Sequence, residues 1–381
     1  AALMGGSAGT KPQEAQYSDF IILWSLNAVA TDIHIWQDVY RARDNGAKVW
    51  VIDTHRTATY LSADETVTVK PGSDGALALG LIHIMERDGL TDKEFIAEHV
   101  SGYDKLKATL GDYTPEKVAE ITGVSVERLT ELAHAYAKAR APFIRLGSGL
   151  SRYGNGAMTV RCVACLPAVV GAYKEKGGGF LGSTGNISFI SNKIMSWASH
   201  GKTDTRLVPM IKLGEALTNE ADDKIRCLYV YSSNPAITSP NQNLVRKGLA
   251  REDLFLVVHE RFMTDTAKYA DIVLPATTSL EHSDIYSSYG HYSLGIGYKV
   301  IDPIGESKSN WDTIRLLAKA MGYDDPFFDR TEEDLIDEIV ATAPRLTDEE
   351  RKRLLATEPV EMELPEDYKL QYDTPSGKIE M

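Results

Sequence analysis

The sequence predicts an α/β protein built from two pseudo-repeated, three-layer αβα domains with mainly parallel sheets. Three observations predict this fold class. Apolar runs that suit strands alternate with segments of helical periodicity. The strand-like runs are continuously apolar, as parallel strands buried on both faces are. One phrase also occurs twice, as "IILWSLNAVATD" at 21–32 and as "LYVYSSNPAITS" at 228–239.

The first elements form a βαβ unit. A strand is predicted over 20–25, a helix over 35–46 that stops at Gly46, and a second strand over 48–53. The crossover should be right-handed and the two strands parallel. The other helices predicted in this half cover 74–90, 92–99, 114–121 and 125–139, the last with Ser125 as N-cap.

Glycine-rich connections and a buried helix follow. A strand is predicted over 142–147 and a buried helix over 158–173. Cys162 and Cys165 lie one turn apart on that helix and are interpreted as core residues, because a metal knuckle would need a second cysteine pair. The segment "KGGGFLGSTGN" at 176–186 is predicted to be a loop near a domain boundary.

The second half repeats the pattern. A second βαβ unit is predicted over 226–232, 241–250 and 254–260, followed by a strand over 270–276 and a helix over Trp311–Gly322. After residue 326, charged amphipathic helices are interpreted as solvated surfaces.

Composition and charge exclude several classes of function. The chain has 381 residues, of which 43% are hydrophobic and 25% charged, an ordinary globular balance. A formal net charge of −13 argues against nucleic acid or an anionic membrane surface as the main partner. No apolar run reaches the roughly 18 residues of a membrane span, so no direct membrane insertion is expected. The first residues resemble neither a signal peptide nor a natural start, which favours an internal piece of a longer protein.

Polar residues in one register support a duplication. Asn27 and Asn234 lie 207 positions apart, and the same spacing relates Asp53 to Glu260. The further pairs are Ser25 and Ser232, Thr31 and Thr238, Thr57 and Thr264, and Ala63-Asp64 and Ala270-Asp271. We predict that the two halves are structural copies.

Most of these positions follow predicted strands, where open α/β sheets bind ligands. A polar turn that leads into a helix exposes N–H groups to phosphate. An acid at the next strand end can accept two parallel hydrogen bonds, from a ribose diol or from the N1–H and N2–H₂ edge of guanine. Two halves imply two nucleotides or one very extended ligand. The alternative is that Asp53 and Glu260 only cap helices and that Asn27 and Asn234 only form turns.

Other segments also have features that are typical of phosphate-binding sites. "VKPGSDGAL" at 69–77 combines a strand end, a turn and a helix start. Gly147 and Gly149 lie where the backbone must approach something closely, and Arg152 and Arg56 add cations. The glycine-run pattern is weak by itself, because it is not G-x-G-x-x-G in register.

Several of these segments together resemble the large catalytic subunits of molybdopterin oxidoreductases of the dimethyl sulfoxide reductase type. That group includes formate dehydrogenases, nitrate reductases and polysulfide or thiosulfate reductases. The resemblance covers essentially the whole chain, and its most specific part is "FMTDTAKYADIVLPATTSLEHSD". The other segments are "IILWSLNAVATD", "VIDTHRTATYLSADETVTVKPGSDGALALGLIHIM", "RLGSGLSRYGNGAMTVRCVACL", "YVYSSNPAITSPNQNLV" and "YDTPSGKIEM".

The resemblance implies a molybdenum or tungsten ion held by two molybdopterin guanine dinucleotides, one in each α/β domain. The implied domains are a first dinucleotide-binding domain at 1–183, a second at 184–310, a helical connection at 311–360 and the start of a truncated C-terminal domain at 361–381. One dinucleotide would be bound by Trp24, Ser25, Asn27, Asp53, Arg56, Gly72 and Asp74, and a pterin would lie near Gly147, Gly149 and Arg152. The second would be bound by Ser232, Asn234, Glu260, Thr264 and Asp271.

Departures from the family pattern limit what the chain can do alone. The iron–sulfur domain that members usually carry, the metal's protein ligand and the closing C-terminal domain are expected outside this chain, so no metal ligand is assigned within it. The loop at 177–186 contains no Arg, which disfavours formate as substrate. The usual Asn-Pro is Asn27-Ala28 in the first half and is intact as Asn234-Pro235 in the second.

The expected function of the full-length protein is two-electron redox chemistry on a small substrate, of the kind used in anaerobic respiration, with an electron-transfer subunit as partner. The compartment, cytoplasmic or periplasmic, stays open. One alternative is a non-catalytic electron-transfer subunit of complex-I type. Another is a dehydrogenase, which predicts G-x-G-x-x-G after the first strand, where the chain has "WSLNAV". The histidines near loops, which are His34, His200, His282 and His291, are interpreted as surface or satisfied side chains.

Overall fold

A computed structural model describes residues 3–5, 9–183, 205–219, 221, 223–287, 290–361 and 363–381. The chain forms two compact units. Unit 1 comprises residues 1–187, 288–293 and 361–381, and unit 2 comprises residues 188–287 and 294–360. Each unit contains its own parallel sheet, which confirms the predicted α/β class with mainly parallel strands.

Unit 1 is built on a five-stranded parallel sheet in the order β3-β2-β1-β5-β6. The strands of this unit are β1 (Phe20–Trp24), β2 (Lys48–Asp53), β3 (Glu65–Thr68), β4 (Val100–Ser101), β5 (Pro142–Leu146) and β6 (Gly179–Leu181). All residues of β1 and β5 are buried, as central strands covered on both faces should be. The prediction of a loop over 176–186 was wrong for β6, because its short apolar core pairs with β5 within a glycine-rich stretch.

Helices cover both faces of this sheet. Ile35 and Val39 pack on one face with Ile21 and Leu23, and Leu81, Leu132 and Val163 belong to the core on the other. The helices are α1 (Ala28–Thr31), α2 (Ile33–Asp44), α3 (Ala58–Leu61), α4 (Asp74–Arg87), α5 (Lys93–His99), α6 (Tyr103–Thr109), α7 (Pro115–Thr122), α8 (Val126–Lys138) and α9 (Gly156–Val169). Short 3₁₀ helices lie at Pro12–Tyr17, Leu110–Asp112, Ser148–Arg152 and Ala172–Lys174.

Two local predictions for these helices are confirmed. The Ser125 side chain accepts a hydrogen bond from Arg128 N–H at 3.3 Å and so caps α8. Cys165 is buried and Cys162 is half-buried on α9, both as free thiols. Burial raises the pKa of Cys165 to about 12, which keeps its thiol protonated and unreactive.

The C-terminal segment packs on unit 1. Strand β13 (Ile379–Glu380) pairs in parallel with β4, and that residues 361–381 begin a further domain stays a prediction. The buried Lys369 ammonium also bonds the Glu14 carboxylate at 3.0 Å. These contacts tie the segment to unit 1.

Unit 2 is built on a three-stranded parallel sheet in the order β7-β8-β9. Its strands are β7 (Cys227–Tyr231), β8 (Phe255–Glu260), β9 (Ile272–Pro275), β10 (Asp284–Ser287), β11 (Ser293–Gly297) and β12 (Val360–Glu361). Leu217 and Val245 lie against one sheet face, in a core with Val230 and Leu256. Strands β10 and β11 form an antiparallel hairpin that the sequence did not predict.

The helices of unit 2 include the region predicted as a separate connection at 311–360, which lies within this unit. They are α10 (Leu213–Leu217), α11 (Pro235–Thr238), α12 (Gln242–Leu249), α13 (Asn310–Ala320), α14 (Glu332–Thr342) and α15 (Asp348–Leu355). Short 3₁₀ helices lie at Met210–Lys212, Ala267–Tyr269 and Pro326–Asp329, and in the C-terminal segment at Tyr368–Leu370. Within the described ranges, none of the helices is both long and apolar enough to cross a bilayer.

A duplicated candidate nucleotide site at the carboxyl ends of the sheets

The two sheets share one strand register. Ile21 of β1 pairs with Val49 of β2, and Leu228 of β7 pairs with Leu256 of β8. The second pair lies 207 positions after the first. The same offset relates the pair Trp50 and Glu65 to the pair Val257 and Ile272. The duplication predicted from sequence is therefore confirmed at the level of backbone pairing.

The turn after the first strand of each copy has an uncommon conformation. Ser25 and Ser232 adopt left-handed backbone angles, with φ of 49° and 50°. Residues other than glycine rarely do so, because the Cβ atom crowds the backbone. Two serines at equivalent positions in this state indicate that the same turn is required in both copies.

A hydrogen-bonded bracket joins the loops after the first and second strands of each copy. Asn27 Oδ1 accepts from Thr59, at 3.3 Å from N–H and 2.9 Å from Oγ1. Asn234 Oδ1 accepts from Thr266 in the same way, at 3.2 and 2.7 Å. Because this bracket occupies Oδ1, only the Nδ2 amide of each asparagine is left to donate to a ligand.

The threonines of the bracket were missed from sequence. Thr59 and Thr266 are fully buried, and each hydroxyl also accepts a backbone N–H, from Val29 at 3.0 Å and from Ala236 at 3.1 Å. They lie 207 positions apart, so the register that related the asparagines contained the signal.

Replacing either threonine with valine should destabilise the α/β unit that contains it. Thr59→Val or Thr266→Val keeps the side-chain shape but removes the hydroxyl. The Val29 or Ala236 N–H then loses its acceptor, and the asparagine oxygen keeps only the backbone N–H of residue 59 or 266 as a donor. We expect each variant to lose about 1–3 kcal/mol of unfolding free energy, measured by urea denaturation. Thr31→Val is the matched control, because that exposed hydroxyl only bonds the Asn27 carbonyl, and it should change little. Equal losses for Thr31→Val and Thr59→Val would contradict the bracket.

An acid ends the second strand in both copies. One Asp53 oxygen accepts the Thr54 N–H at 2.7 Å, and one Glu260 oxygen accepts the Arg261 N–H at 2.7 Å. Neither bond caps a helix, because Thr54 and Arg261 lie outside the helices and the helix after β2 is capped by Thr57. The other oxygen of each carboxylate keeps the capacity to accept hydrogen bonds from a ligand.

Asp74 and Trp24 form a buried pair in the first copy. The Trp24 indole N–H donates to Asp74 Oδ1 at 2.8 Å, and both side chains are fully buried. Asp74 Oδ2 is buried without a partner in the described part of the chain. Burial raises the pKa of Asp74, the nearby Asp53 charge raises it further, and the Trp24 hydrogen bond opposes both. A buried oxygen without a partner at the start of α4 suits a donor supplied by a ligand or a water.

The three glycines predicted to bind the cofactor differ in whether, and why, their positions require glycine. A Cβ atom at Gly147 would lie 1.8 Å from the Ser25 carbonyl oxygen, so the close approach at this position is to the chain itself. A Cβ atom at Gly149 would meet only Ser25 atoms at 3.9 Å, an ordinary contact. Gly72 has φ +80°, which favours glycine in the turn before α4.

The remaining predicted residues stabilise neighbouring turns or have exposed side chains. Thr57 caps α3 by accepting from Tyr60 N–H, and Thr264 accepts from Ala267 N–H at the start of a 3₁₀ helix. Arg56 and Arg152 have exposed side chains.

The prediction that Asp271 belongs to the ligand-binding cluster is corrected by its position. It precedes β9, so it lies at the amino edge of the sheet, where Oδ2 accepts the Leu256 N–H at 2.7 Å. Asp64 does the same for Val49 in the first copy.

A large cleft lies at the carboxyl end of the second sheet. Its volume is about 930 Å³, and Ser232, Asn234 and Glu260 line it. Strand β10, the start of α13 and one side of α14 complete the walls, and Asn310 Nδ2 donates to Ser232 Oγ at 3.3 Å. In the first copy a short turn connects β3 to α4, so the hairpin is an insertion that distinguishes the second site. No cluster of three or more acidic, histidine or cysteine side chains suited to a metal was found among the described residues.

Comparison with known proteins agrees with this architecture. Residues 6–320 match the family model described as molybdopterin oxidoreductase. The probable oxidoreductase YoaE of Bacillus subtilis (strain 168) is 43% identical, over 87% of this chain and 49% of its own length. The F420-dependent formate dehydrogenase subunit alpha of Methanocaldococcus jannaschii is 29% identical, over 93% of this chain and 55% of its own.

A solved structure extends the comparison. Acetylene hydratase from Pelobacter acetylenicus superposes with a TM-score of 0.78 at 24% identity, over 99% of this chain and 57% of its own, which supports the shared fold. The chain thus spans about half the length of the curated relatives it matches. With the family model covering most of the chain, the protein belongs to the molybdopterin oxidoreductase family.

Proposed function

We propose that the complete protein is an oxidoreductase that carries Mo or W on a bis(molybdopterin guanine dinucleotide) cofactor, with one dinucleotide at each sheet. The observation that carries this proposal is the repeated site, in which the serine turn, the asparagine–threonine bracket and the strand-end acid recur at one offset. A cofactor with two identical nucleotide ends accounts for two copies of one nucleotide site.

The residues present fit such a group. Asp53 and Glu260 each keep acceptor capacity beside a helix-forming loop, which suits the N1–H and N2–H₂ donors of guanine. Asp74 Oδ2 is a buried oxygen in need of a donor. The chain's task would be to bind and orient the two dinucleotides, while the bound cofactor supplies a metal centre for two-electron chemistry.

The composition of the purified cofactor tests the proposal. We would isolate the complete gene product, measure Mo and W by mass spectrometry, and quantify nucleotides released by acid hydrolysis. Two GMP per metal ion are expected. AMP or CMP instead of GMP would refute the guanine assignment. A protein with neither metal nor nucleotide would support the non-catalytic alternative of complex-I type.

Neutralising either strand-end acid should reduce cofactor content. Asp53→Asn and Glu260→Gln each replace one acceptor oxygen with a donor that faces the guanine donors. A hydrogen bond to a charged group contributes about 1.5–3 kcal/mol, so the released GMP should fall roughly 10- to 100-fold at limiting cofactor. Asp271→Asn is the matched control, because this acid lies at the opposite edge of the sheet. Equal retention of GMP by all three variants would contradict the assignment.

Substrate and partners are part of the proposal for the complete protein. A small substrate and an electron-transfer subunit are supported by the relatives, one of which is named as an alpha subunit of a formate dehydrogenase. Formate is disfavoured by the loop at 177–186, which has no Arg, although residues 184–186 lie outside the described part. The 381-residue chain alone should show no Mo-dependent turnover, because the metal's protein ligand is expected elsewhere. Turnover by this chain would overturn that expectation.

A further inference from the structure

Arg145 is a buried cation within the otherwise apolar strand β5. It is 7% exposed, and β5 pairs with β1 on one side and with β6 on the other. Its Nη1 donates to the carbonyl oxygens of Leu146 at 2.7 Å, Leu181 at 3.3 Å and Gly182 at 2.7 Å. These carbonyls lie at the carboxyl ends of β5 and β6. Because a guanidinium carries several N–H donors in a fixed planar arrangement, one side chain holds the ends of both strands together.

The same guanidinium forms an ion pair with Asp32, at the start of α2. Arg145 Nε and Nη2 lie 3.0 and 2.8 Å from Asp32 Oδ2, and the two side chains are 8% and 15% exposed. An aspartate at this N-cap position usually accepts an N–H of its own helix. The Asp32 side chain makes no such bond. The ion pair, rather than helix capping, therefore holds the start of α2.

The end of β5 holds both ends of the turn that follows β1. We call residues 25–32 the first turn, and it contains Asn27 of the bracket. Just before this turn, the Gly147 N–H donates to the Trp24 carbonyl at 2.8 Å. At the other end, the Arg145 guanidinium bonds the last residue of the turn. The first turn is thus held at two points, so its asparagine is fixed by contacts beyond the bracket itself.

The second copy lacks this arrangement. Its equivalent turn, residues 232–239, ends at Ser239, which occupies the position of Asp32 and is buried. In the described part of unit 2, β7 pairs with β8 alone, so no counterpart of β5 supplies an arginine there. The bracket between Asn234 and Thr266 is nevertheless the same as in the first copy. The two candidate nucleotide sites therefore share their bracket but differ in what holds the turn.

We propose that Arg145 is a positioning residue of the first nucleotide site, which acts through Asp32 to hold the first turn in its ligand-binding conformation before the nucleotide binds. A segment that is already ordered loses less conformational freedom on binding, so the affinity of this site should depend on the Arg145–Asp32 pair. The second site should not depend on it. The identity of the ligand rests on the proposed function, whereas the effect on the first turn can be measured without any nucleotide.

Hydrogen exchange in the cofactor-free protein tests the effect on the turn. We would compare the complete gene product with its Asp32→Ala variant, in which the guanidinium keeps its carbonyl acceptors and the chain should fold. The amides of residues 30–32 donate to the Asn27 and Ala28 carbonyls, and the amides of residues 237–239 form the same bonds in the second copy. In the variant, exchange at 30–32 should be roughly 10-fold faster or more, because the turn loses a charged hydrogen-bond partner. Exchange at 237–239 should not change.

Two further variants complete the exchange experiment. Ser239→Ala changes the equivalent position of the second copy and should leave exchange in both turns unchanged. Arg145→Lys keeps the charge but loses the planar guanidinium, so it should accelerate exchange at 30–32 as Asp32→Ala does. Unchanged exchange at 30–32 in Asp32→Ala would overturn the proposal. An equal increase at 237–239 would also overturn it, because the pair would then stabilise the protein without acting on the first turn in particular.

Cofactor content tests the effect on binding. Asp32→Ala should lower the GMP released per protein roughly 10-fold at limiting cofactor, because the turn must then become ordered on binding. Lys369→Met is the control, because it breaks a buried pair in the same unit through bonds to residues outside the first turn. Assayed at a temperature at which it is folded, this control should keep its GMP. Equal losses of GMP in the two variants would reduce the Arg145–Asp32 pair to a stabilising role.

The wild-type protein separates this proposal from the proposed function. If the complete wild-type protein holds no guanine nucleotide, the proposed function fails, and the exchange experiment alone decides whether Arg145 positions the first turn. If the wild type holds GMP and Asp32→Ala keeps all of it although the first turn exchanges faster, the turn does not need to be held for binding. That result would overturn the role of Arg145 as a positioning residue.

Discussion

Gly147→Ala should destabilise unit 1 strongly although the substitution adds a single methyl group. The added Cβ would lie 1.8 Å from the Ser25 carbonyl oxygen, 2.6 Å from its carbonyl carbon and 3.0 Å from Leu26 Cα. All three atoms belong to backbone, so no side chain can rotate away. The Gly147 N–H also donates to the Trp24 carbonyl at 2.8 Å, which holds the two loops together. We expect a loss of about 3 kcal/mol in unfolding free energy, the upper part of the range for overpacking.

The cause is steric rather than conformational. Gly147 has φ −84° and ψ 157°, angles that alanine adopts easily. Gly149→Ala, whose Cβ would meet Ser25 only at 3.9 Å, is therefore the matched control and should be nearly neutral. Chemical denaturation compares the stabilities, and under the proposed function released GMP would report whether the displaced Ser25 turn still binds the cofactor. An alanine at 147 as stable as one at 149 would show that the two loops are not in contact.

Periodicity and repetition explain which parts of this site were predictable. The strands β1, β2 and β5, the cap at Ser125 and the relation of Asp53 to Glu260 depend on local pattern or on one constant offset. The resulting α/β class and the duplication are confirmed because backbone pairing obeys the same offset.

The remaining features depend on contacts that local pattern does not encode. Thr59 is 32 positions from Asn27, and this spacing alone does not indicate that the Thr59 hydroxyl donates to the Asn27 amide oxygen. The sequence predicts that the backbone at Gly147 approaches something closely, but it does not indicate that the neighbour is the Ser25 backbone. Asp271 and its copy Asp64 share one role at the amino edge of their sheets, so the register was informative, but that edge is opposite the strand ends where a ligand was predicted. The hairpin β10–β11 was missed because its insertion breaks the offset.

Lys369→Met should be the most damaging substitution in the C-terminal segment. The Lys369 side chain is 7% exposed, and its ammonium bonds Glu14 at 3.0 Å and also donates to the carbonyls of Glu175 and Gly178. The Glu14 side chain is 12% exposed and accepts further bonds from Tyr368 Oη at 2.7 Å and Gly177 N–H at 3.1 Å. Methionine fills the space but leaves the carboxylate without its counter-charge. Removing one partner of a buried pair costs about 3–5 kcal/mol.

The pH dependence of that loss distinguishes an ion pair from packing. Burial alone would raise the pKa of Glu14, but the bonds from Gly177 and Tyr368 and the charge of Lys369 lower it overall. A lowered pKa in the folded state contributes stability above the unfolded value of about 4.3, and that stability is lost as pH falls through the folded pKa. The gap between wild type and Lys369→Met, measured by urea denaturation, should therefore be widest near neutral pH and narrow below about pH 4.

A control pair and a second substitution complete this prediction. Lys107→Met removes the ammonium from the exposed pair with Glu86, and we expect little change at any pH, because solvent screens such pairs. Glu14→Gln combined with Lys369→Met should recover part of the loss, since no uncompensated charge then remains buried. A gap that is constant with pH, and unchanged in the double variant, would mean that Lys369 stabilises unit 1 through its methylene chain alone.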